Sequence, residues 1–143
     1  MLFRSLTILG EGPERPYLTA LAAHLGVAID MPGFVTNVSS WIAGADAVVI
    51  PSLWEGMPNV ALEALACGVK VVATPEAGGI AELAAMAPPD AVTIAPFNDG
   101  FAATLTAMKP RRDEDLQPSL LPPAYDAAAV ARRFAALLAE TLG

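Results

Sequence analysis

The segment Pro51–Gly68 reads PSLWEGMPNVALEALACG. It follows an apolar run, Ala47-Val48-Val49-Ile50, which has the composition of a buried strand. A short loop containing Trp54, Glu55, Gly56, Met57 and Pro58 leads into a helical stretch from Asn59 to Cys67, which Gly68 is suited to stop. Strand, loop and helix in that order form one unit of a parallel α/β sheet.

Glu63 is flanked by Val60, Ala61, Leu62, Ala64, Leu65 and Ala66, so its helix is apolar all round and expected to be buried on every side. A carboxylate there is costly unless hydrogen-bond donors meet it. Two readings stay open: a Glu paired with an Arg or facing a wet gap, and a carboxylate awaiting a ligand with paired hydroxyls, such as a ribose diol. Glu55 stands eight positions earlier, at the carboxyl end of the strand, where open parallel sheets bind their ligands. Gly56 permits close backbone approach, and Pro58 suits a first helical turn. Free amides at the helix start attract an anion such as a diphosphate. Two carboxylates around an anion-seeking helix start suit a nucleotide sugar, with hydroxyls at each end and phosphates between.

EGMPNVALE, from Glu55 to Glu63, resembles the two-glutamate signature of retaining glycosyltransferases with the GT-B fold, and most closely glycosyltransferase family 4 (glycosyl transferases group 1). PS before the first Glu, EALACG from the second and AGGIAEL at Ala77–Leu83 are similar to the family's pattern too. So are LTILGEGPER at Leu6–Arg15 and GFV at Gly33–Val35. The resemblance covers roughly Leu6 to Pro96. It implies a doubly wound, Rossmann-like parallel sheet flanked by helices, the C-terminal, donor-binding half of a GT-B enzyme. It further implies transfer from a UDP-, GDP- or ADP-sugar with retention of configuration, with no metal and no cofactor beyond that substrate.

By the same resemblance Glu55 is the catalytic-site carboxylate that holds the donor sugar's hydroxyls, and Glu63 holds the ribose hydroxyls. Gly56, Met57, Pro58 and Asn59 surround the phosphates and sugar. Gly33, Phe34 and Val35 border the nucleobase, Gly10 and Gly12 lie in the first loop of the donor cleft, and Gly78 and Gly79 lie beside it. The chain departs from the family at Lys70, where a proline is usual, and in lacking the basic pair that steadies the leaving diphosphate. Arg4 and Arg15 do not match that pair. The N-terminal acceptor-binding domain is an expected partner, so the chain alone is expected to bind donor without transferring sugar.

At 143 residues the chain is read as one domain, 1–143, with a Pro-rich connection at 109–125 and an amphipathic helix at 126–142. That helix gathers Val130, Phe134, Leu137 and Leu138 on one side and is expected to dock on this domain or a partner. Further strands are expected at Leu2–Leu9, Val27–Met31, Val69–Thr74 and Ala91–Ala95. The helices between them are expected from Pro13 to Leu25, Asn37 to Ala43, from Ile80, and from Gly100 to Met108. Tyr17, Leu18, Leu21 and Leu25 should line one face of the first, and Trp41 and Ile42 should enter the core. The run from Arg111 to Asp115 lies in a surface connection, and Arg111 and Arg112 read as solvated charges.

Fifteen acidic against eight basic residues give a net charge of −7, which argues against nucleic acid as a partner. One His and one Cys make a zinc site unlikely to form, and the lone Cys67 cannot close an internal disulfide. No apolar run reaches the length of a membrane span, and MLFRSLTILGEG makes a poor secretory signal. A cytoplasmic setting is expected, with a longer enzyme able to sit peripherally at the inner face of the membrane. Three alternatives remain: a GT-B sugar-nucleotide epimerase, a non-catalytic nucleotide-sugar-binding subunit, and a dinucleotide enzyme built on Gly10-Glu11-Gly12 and Asp30. Arg15 replaces the third glycine that the last one needs.

Overall fold

The structure, a computed structural model, describes residues 5–110 and 117–142. The chain divides into two compact units, Met1–Val38 and Ser39–Gly143. In the first, β1 (Leu6–Leu9) and β2 (Ile29–Gly33) are joined by α1 (Arg15–Leu25). The strands pair in parallel, Leu6 opposite Ile29 and Leu9 opposite Gly33, with a register irregularity between Thr7 and Leu9. A parallel pair needs a crossover, and α1 supplies it. Gly26 ends α1 in the left-handed region at φ 66, its amide bonded back to Ala22 and Ala23. The expected apolar face of α1 is only partly covered. Leu18 is half-buried and Ala22 buried, one turn apart, while Tyr17, Leu21 and Leu25 are exposed. The inner stripe runs through the smaller residue, not through the largest ones.

The second unit carries α2 (Val38–Ala43, which begins at the boundary), β3 (Ala47–Ile50), α3 (Asn59–Ala66), β4 (Lys70–Ala73), α4 (Ile80–Met86) and β5 (Val92–Ile94). It continues with α5 (Asp99–Ala107), a 3-10 turn at Pro123–Tyr125 and α6 (Ala127–Leu142). Strands β3, β4 and β5 lie side by side in chain order, all parallel. The α/β class expected from the sequence therefore stands, with strand pairing in two sets, β1–β2 and β3–β4–β5. No described helix is long and apolar enough to cross a membrane.

The core of this unit is built on the central strand. Val71, Val72 and Ala73 are buried, and Leu65 of α3 with Ile80 and Leu83 of α4 are fully covered. Burial of each such large side chain stabilises by about 1.5–3 kcal/mol. Phe101 of α5 closes over Val72 and Ala95, with Val49, Leu105 and Met108 against them. Lys70 stands exposed at the start of β4, so its substitution for proline leaves this core untouched.

Two expectations are corrected, for α3 and for Trp41. Helix α3 is not buried on every side: Ala61, Ala64 and Leu65 face inward, while Asn59, Val60, Glu63 and Ala66 are exposed. The periodicity of a helix places 61, 64 and 65 on one stripe and 59, 63 and 66 on another. Because alanine fits either side, the sequence conceals the boundary. Trp41 is 37% exposed beside a buried Ile42. On α6, expected to dock on this domain or on a partner, Val130, Phe134, Leu137 and Leu138 are all exposed. The described part of the Pro-rich connection packs against the end of α3. Residues 111–116, including Arg111 to Asp115, lie outside the described residues, but Leu120 N–H donates to Leu65 O at 2.7 Å and Pro122 is buried. Gly68, at φ +70, makes room for this segment: a Cβ there would stand 2.7 Å from Pro118 O.

Candidate functional site

The loop between β3 and α3, residues 51–58, leaves the carboxyl end of a parallel strand. Ser52 Oγ donates to Glu55 Oε1 at 3.1 Å, and the buried Thr74, just past β4, donates its hydroxyl to Ser52 O. Two adjacent strand ends are thus tied at the residues that precede Glu55. Glu55 itself is half-buried.

The loop after β4 presses on the same place. Gly79 N–H donates to Gly56 O at 2.8 Å. Gly78 sits in the left-handed region at φ +57, and a Cβ there would stand 1.7 Å from Gly56 O and 2.4 Å from Glu55 O. A Cβ at Gly79 would meet Met57 Cε at 2.4 Å. Only glycine permits this backbone approach at Gly78. Glu55, Gly56, Met57, Gly78 and Gly79 are therefore brought into one tightly packed corner.

Helix α3 starts from Pro58, which is extended (φ −73, ψ 96) and buried, with no side-chain cap. Its first turn thus keeps uncapped donors at the positive end of the helix dipole. Asn59 and Glu63 are one turn apart, both on the exposed stripe. An exposed carboxylate needs no internal partner, so the burial cost from which both readings of Glu63 started is absent.

In the first unit, Gly10 N–H donates to Gly33 O at 2.8 Å, which links the loop after β1 to the end of β2. Arg15 pairs with Glu11 at 3.0 Å and donates to Met31 O. Gly33 is buried at φ +83, and a Cβ there would stand 2.5 Å from Glu11 Oε1. Gly33 accordingly serves local packing of Glu11. Ile8, Leu9, Gly10, Glu11, Gly12 and Arg15 line a shallow open cavity. Phe34 projects at 88% exposure, and Val35 is half-buried. Among the described residues no group of three His, Cys, Asp or Glu could hold a metal ion.

Sequence reasoning missed Ser52 and Thr74. Their signals were faint: a hydroxyl three residues before Glu55, and a polar residue ending the apolar run Val71-Val72-Ala73.

A family model described as "Glycosyl transferases group 1" matches residues 3–109. An uncharacterized glycosyltransferase of Methanocaldococcus jannaschii is 42% identical over 82 residues, covering 54% of this chain and 21% of the relative. A Campylobacter jejuni enzyme is 36% identical over 80 residues, covering 54% of this chain and 22% of its own length. Its name is N-acetylgalactosamine-N,N'-diacetylbacillosaminyl-diphospho-undecaprenol 4-alpha-N-acetylgalactosaminyltransferase. The chain thus spans about a fifth of the length of the curated relatives it matches.

Among solved structures, the lipopolysaccharide glycosyltransferase WaaG aligns with TM-score 0.59 and 26% identity over 71% of this chain and 29% of its own. Anabaena HepE, solved in complex with UDP, aligns with TM-score 0.56 and 25% identity over 69% of this chain and 29% of its own. With its family model matched over most of its length, this chain belongs to the glycosyl transferases group 1 family.

Proposed function

We propose that this chain is the donor-binding part of a retaining, metal-independent glycosyltransferase of family 4. The observation that carries the reading is the corner at Glu55–Met57, held by Gly78 and Gly79 and followed directly by an uncapped helix start and an exposed Glu63. The donor is a nucleoside diphosphate sugar, and the UDP in the HepE structure makes UDP-sugars the first candidates. Glu63, exposed, accepts from the ribose hydroxyls, whose hydrogen bonds replace those of water and offset the cost of desolvating the carboxylate. The first amides of α3 meet the diphosphate. Glu55 accepts hydrogen bonds from the donor sugar, holding the reacting carbon in place.

In this reading no side chain forms a covalent intermediate. The chain's residues orient the sugar and stabilise charge on the departing diphosphate. The acceptor-binding domain and the basic pair that assists the leaving group are supplied by polypeptide outside these residues, in a cytoplasmic enzyme. The test is a thermal-shift titration of the purified chain with UDP, GDP, ADP and NAD. Ligand at a hundred times its Kd stabilises by about 2.7 kcal/mol. A rise in Tm with one nucleoside diphosphate, lost in Glu63→Ala, is the expected result. A response to NAD alone, or to nothing, refutes the reading.

A further inference from the structure

Glu55 is not a freely rotating carboxylate. Its Oε1 accepts from Ser52 Oγ at 3.1 Å, and among the described residues no other hydrogen bond reaches the carboxylate. Ser52 is in turn fixed through its main chain, because Thr74 donates its hydroxyl to Ser52 O. Thr74 is the one fully buried polar side chain of the described core, so its hydroxyl has to find a partner inside. Gly78 lies against the same turn, where an added Cβ would meet the Glu55 and Gly56 carbonyl oxygens.

We propose that Ser52 and Thr74 are positioning residues that set the orientation of the Glu55 carboxylate for the donor sugar. This rests on the donor-site reading above. Thr74 anchors the chain just after β3 to the end of β4, and Ser52 converts that anchor into a donor aimed at one carboxylate oxygen. The second oxygen is left to accept from sugar hydroxyls. A long carboxylate side chain loses rotamer freedom when it grips a ligand, and holding it beforehand removes part of that loss. Ser52 has no call to touch the nucleotide: its hydroxyl is spent on Glu55. Its contribution should therefore appear only in the affinity that the sugar adds.

The experiment is calorimetric titration of this chain with UDP and UDP-glucose, GDP and GDP-glucose, and ADP and ADP-glucose, each conjugate compared with its own diphosphate. Ser52→Ala should weaken the sugar conjugate about two- to tenfold relative to the free diphosphate, the scale of ordering one long side chain. Affinity for the diphosphate should stay unchanged. Ser52→Thr keeps the hydroxyl and should restore most of the difference. Thr74→Val should reproduce the loss, and Thr74→Ser should not. In a Glu55→Ala background, where no side-chain acceptor is left for its hydroxyl, Ser52→Ala should add nothing further. Equal weakening of diphosphate and conjugate by Ser52→Ala, or no weakening of either, overturns the positioning role. If Glu55→Ala itself leaves the sugar-dependent affinity intact, or no nucleotide binds, the donor-site reading fails and takes this inference with it.

Discussion

Gly78→Ala tests the packing of the site without touching any group that would meet a ligand. The left-handed backbone at φ +57 costs an L-residue about 1–2 kcal/mol. The new Cβ would lie 1.7 Å from Gly56 O and 2.4 Å from Glu55 O, so main-chain atoms must move. Overpacking of that kind adds about 1–3 kcal/mol, and the expected loss is about 2–5 kcal/mol. Unfolding entropy of about 2.1 cal/mol/K per residue makes 1 kcal/mol worth about 3 °C in a chain of this length. Thermal and urea unfolding followed by far-UV circular dichroism should show Tm falling by about 6–15 °C. Two neighbours act as internal standards. At Gly79 the new Cβ would meet Met57 Cε, the end of a flexible side chain, and a loss of about 1 kcal/mol or less is expected. At Gly56 no atom lies within 4 Å of an added Cβ, and the change should stay within about 0.5 kcal/mol. If Gly78→Ala costs no more than Gly56→Ala, the close approach of the two loops is wrong.

Three further outcomes follow from named contacts. Asp126 Oδ1 accepts from the amides of Ala128 and Ala129 at 3.0 and 3.1 Å, so Asp126→Ala should lose about 1 kcal/mol and fray α6, seen as reduced ellipticity at low denaturant. Glu63 is exposed, and alanine is a better helix former, so Glu63→Ala should leave Tm within about 2 °C of the parent; a large fall would restore the buried-carboxylate reading. Partial burial first, and the Glu82 carboxylate second, push the Tyr125 phenol above its ordinary value. That stabilisation is fully present below the unfolded Tyr value near 10 and is lost as pH rises through the folded one. Urea midpoints should therefore fall above about pH 10, less steeply in Tyr125→Phe; identical slopes would contradict the shift.

The sequence was most legible where one physical pattern stood alone. Ala47–Ile50 reads as strand and is strand, because four apolar residues bounded by turn formers admit little else. The start of α3 at Asn59 followed from Pro58, and its stop from Gly68. The helices flanking β4 and β5 were placed within a residue or two. What stayed hidden depends on what covers a face. Alanine-rich α3 gave no sign that Glu63 looks outward, and Trp41 and α6 carry apolar side chains that this unit leaves uncovered. At the site, the glycine pair was expected beside the cleft, but its packing against Glu55 and Gly56 joins residues far apart in the chain. Local periodicity carries no signal for such a contact, and the same is true of Thr74 reaching Ser52.

The central claim is that donor binds at the loop and helix start from Glu55 to Glu63. The most direct measurement is amide chemical-shift mapping of the 15N-labelled chain during titration with UDP-glucose, GDP-glucose and ADP-glucose. One conjugate should shift the amides of Gly56, Met57, Asn59, Val60 and Glu63 in a saturable manner, and Glu63→Ala should weaken that response. Saturable shifts that spare all five amides, or no saturable shift with any conjugate, would contradict it.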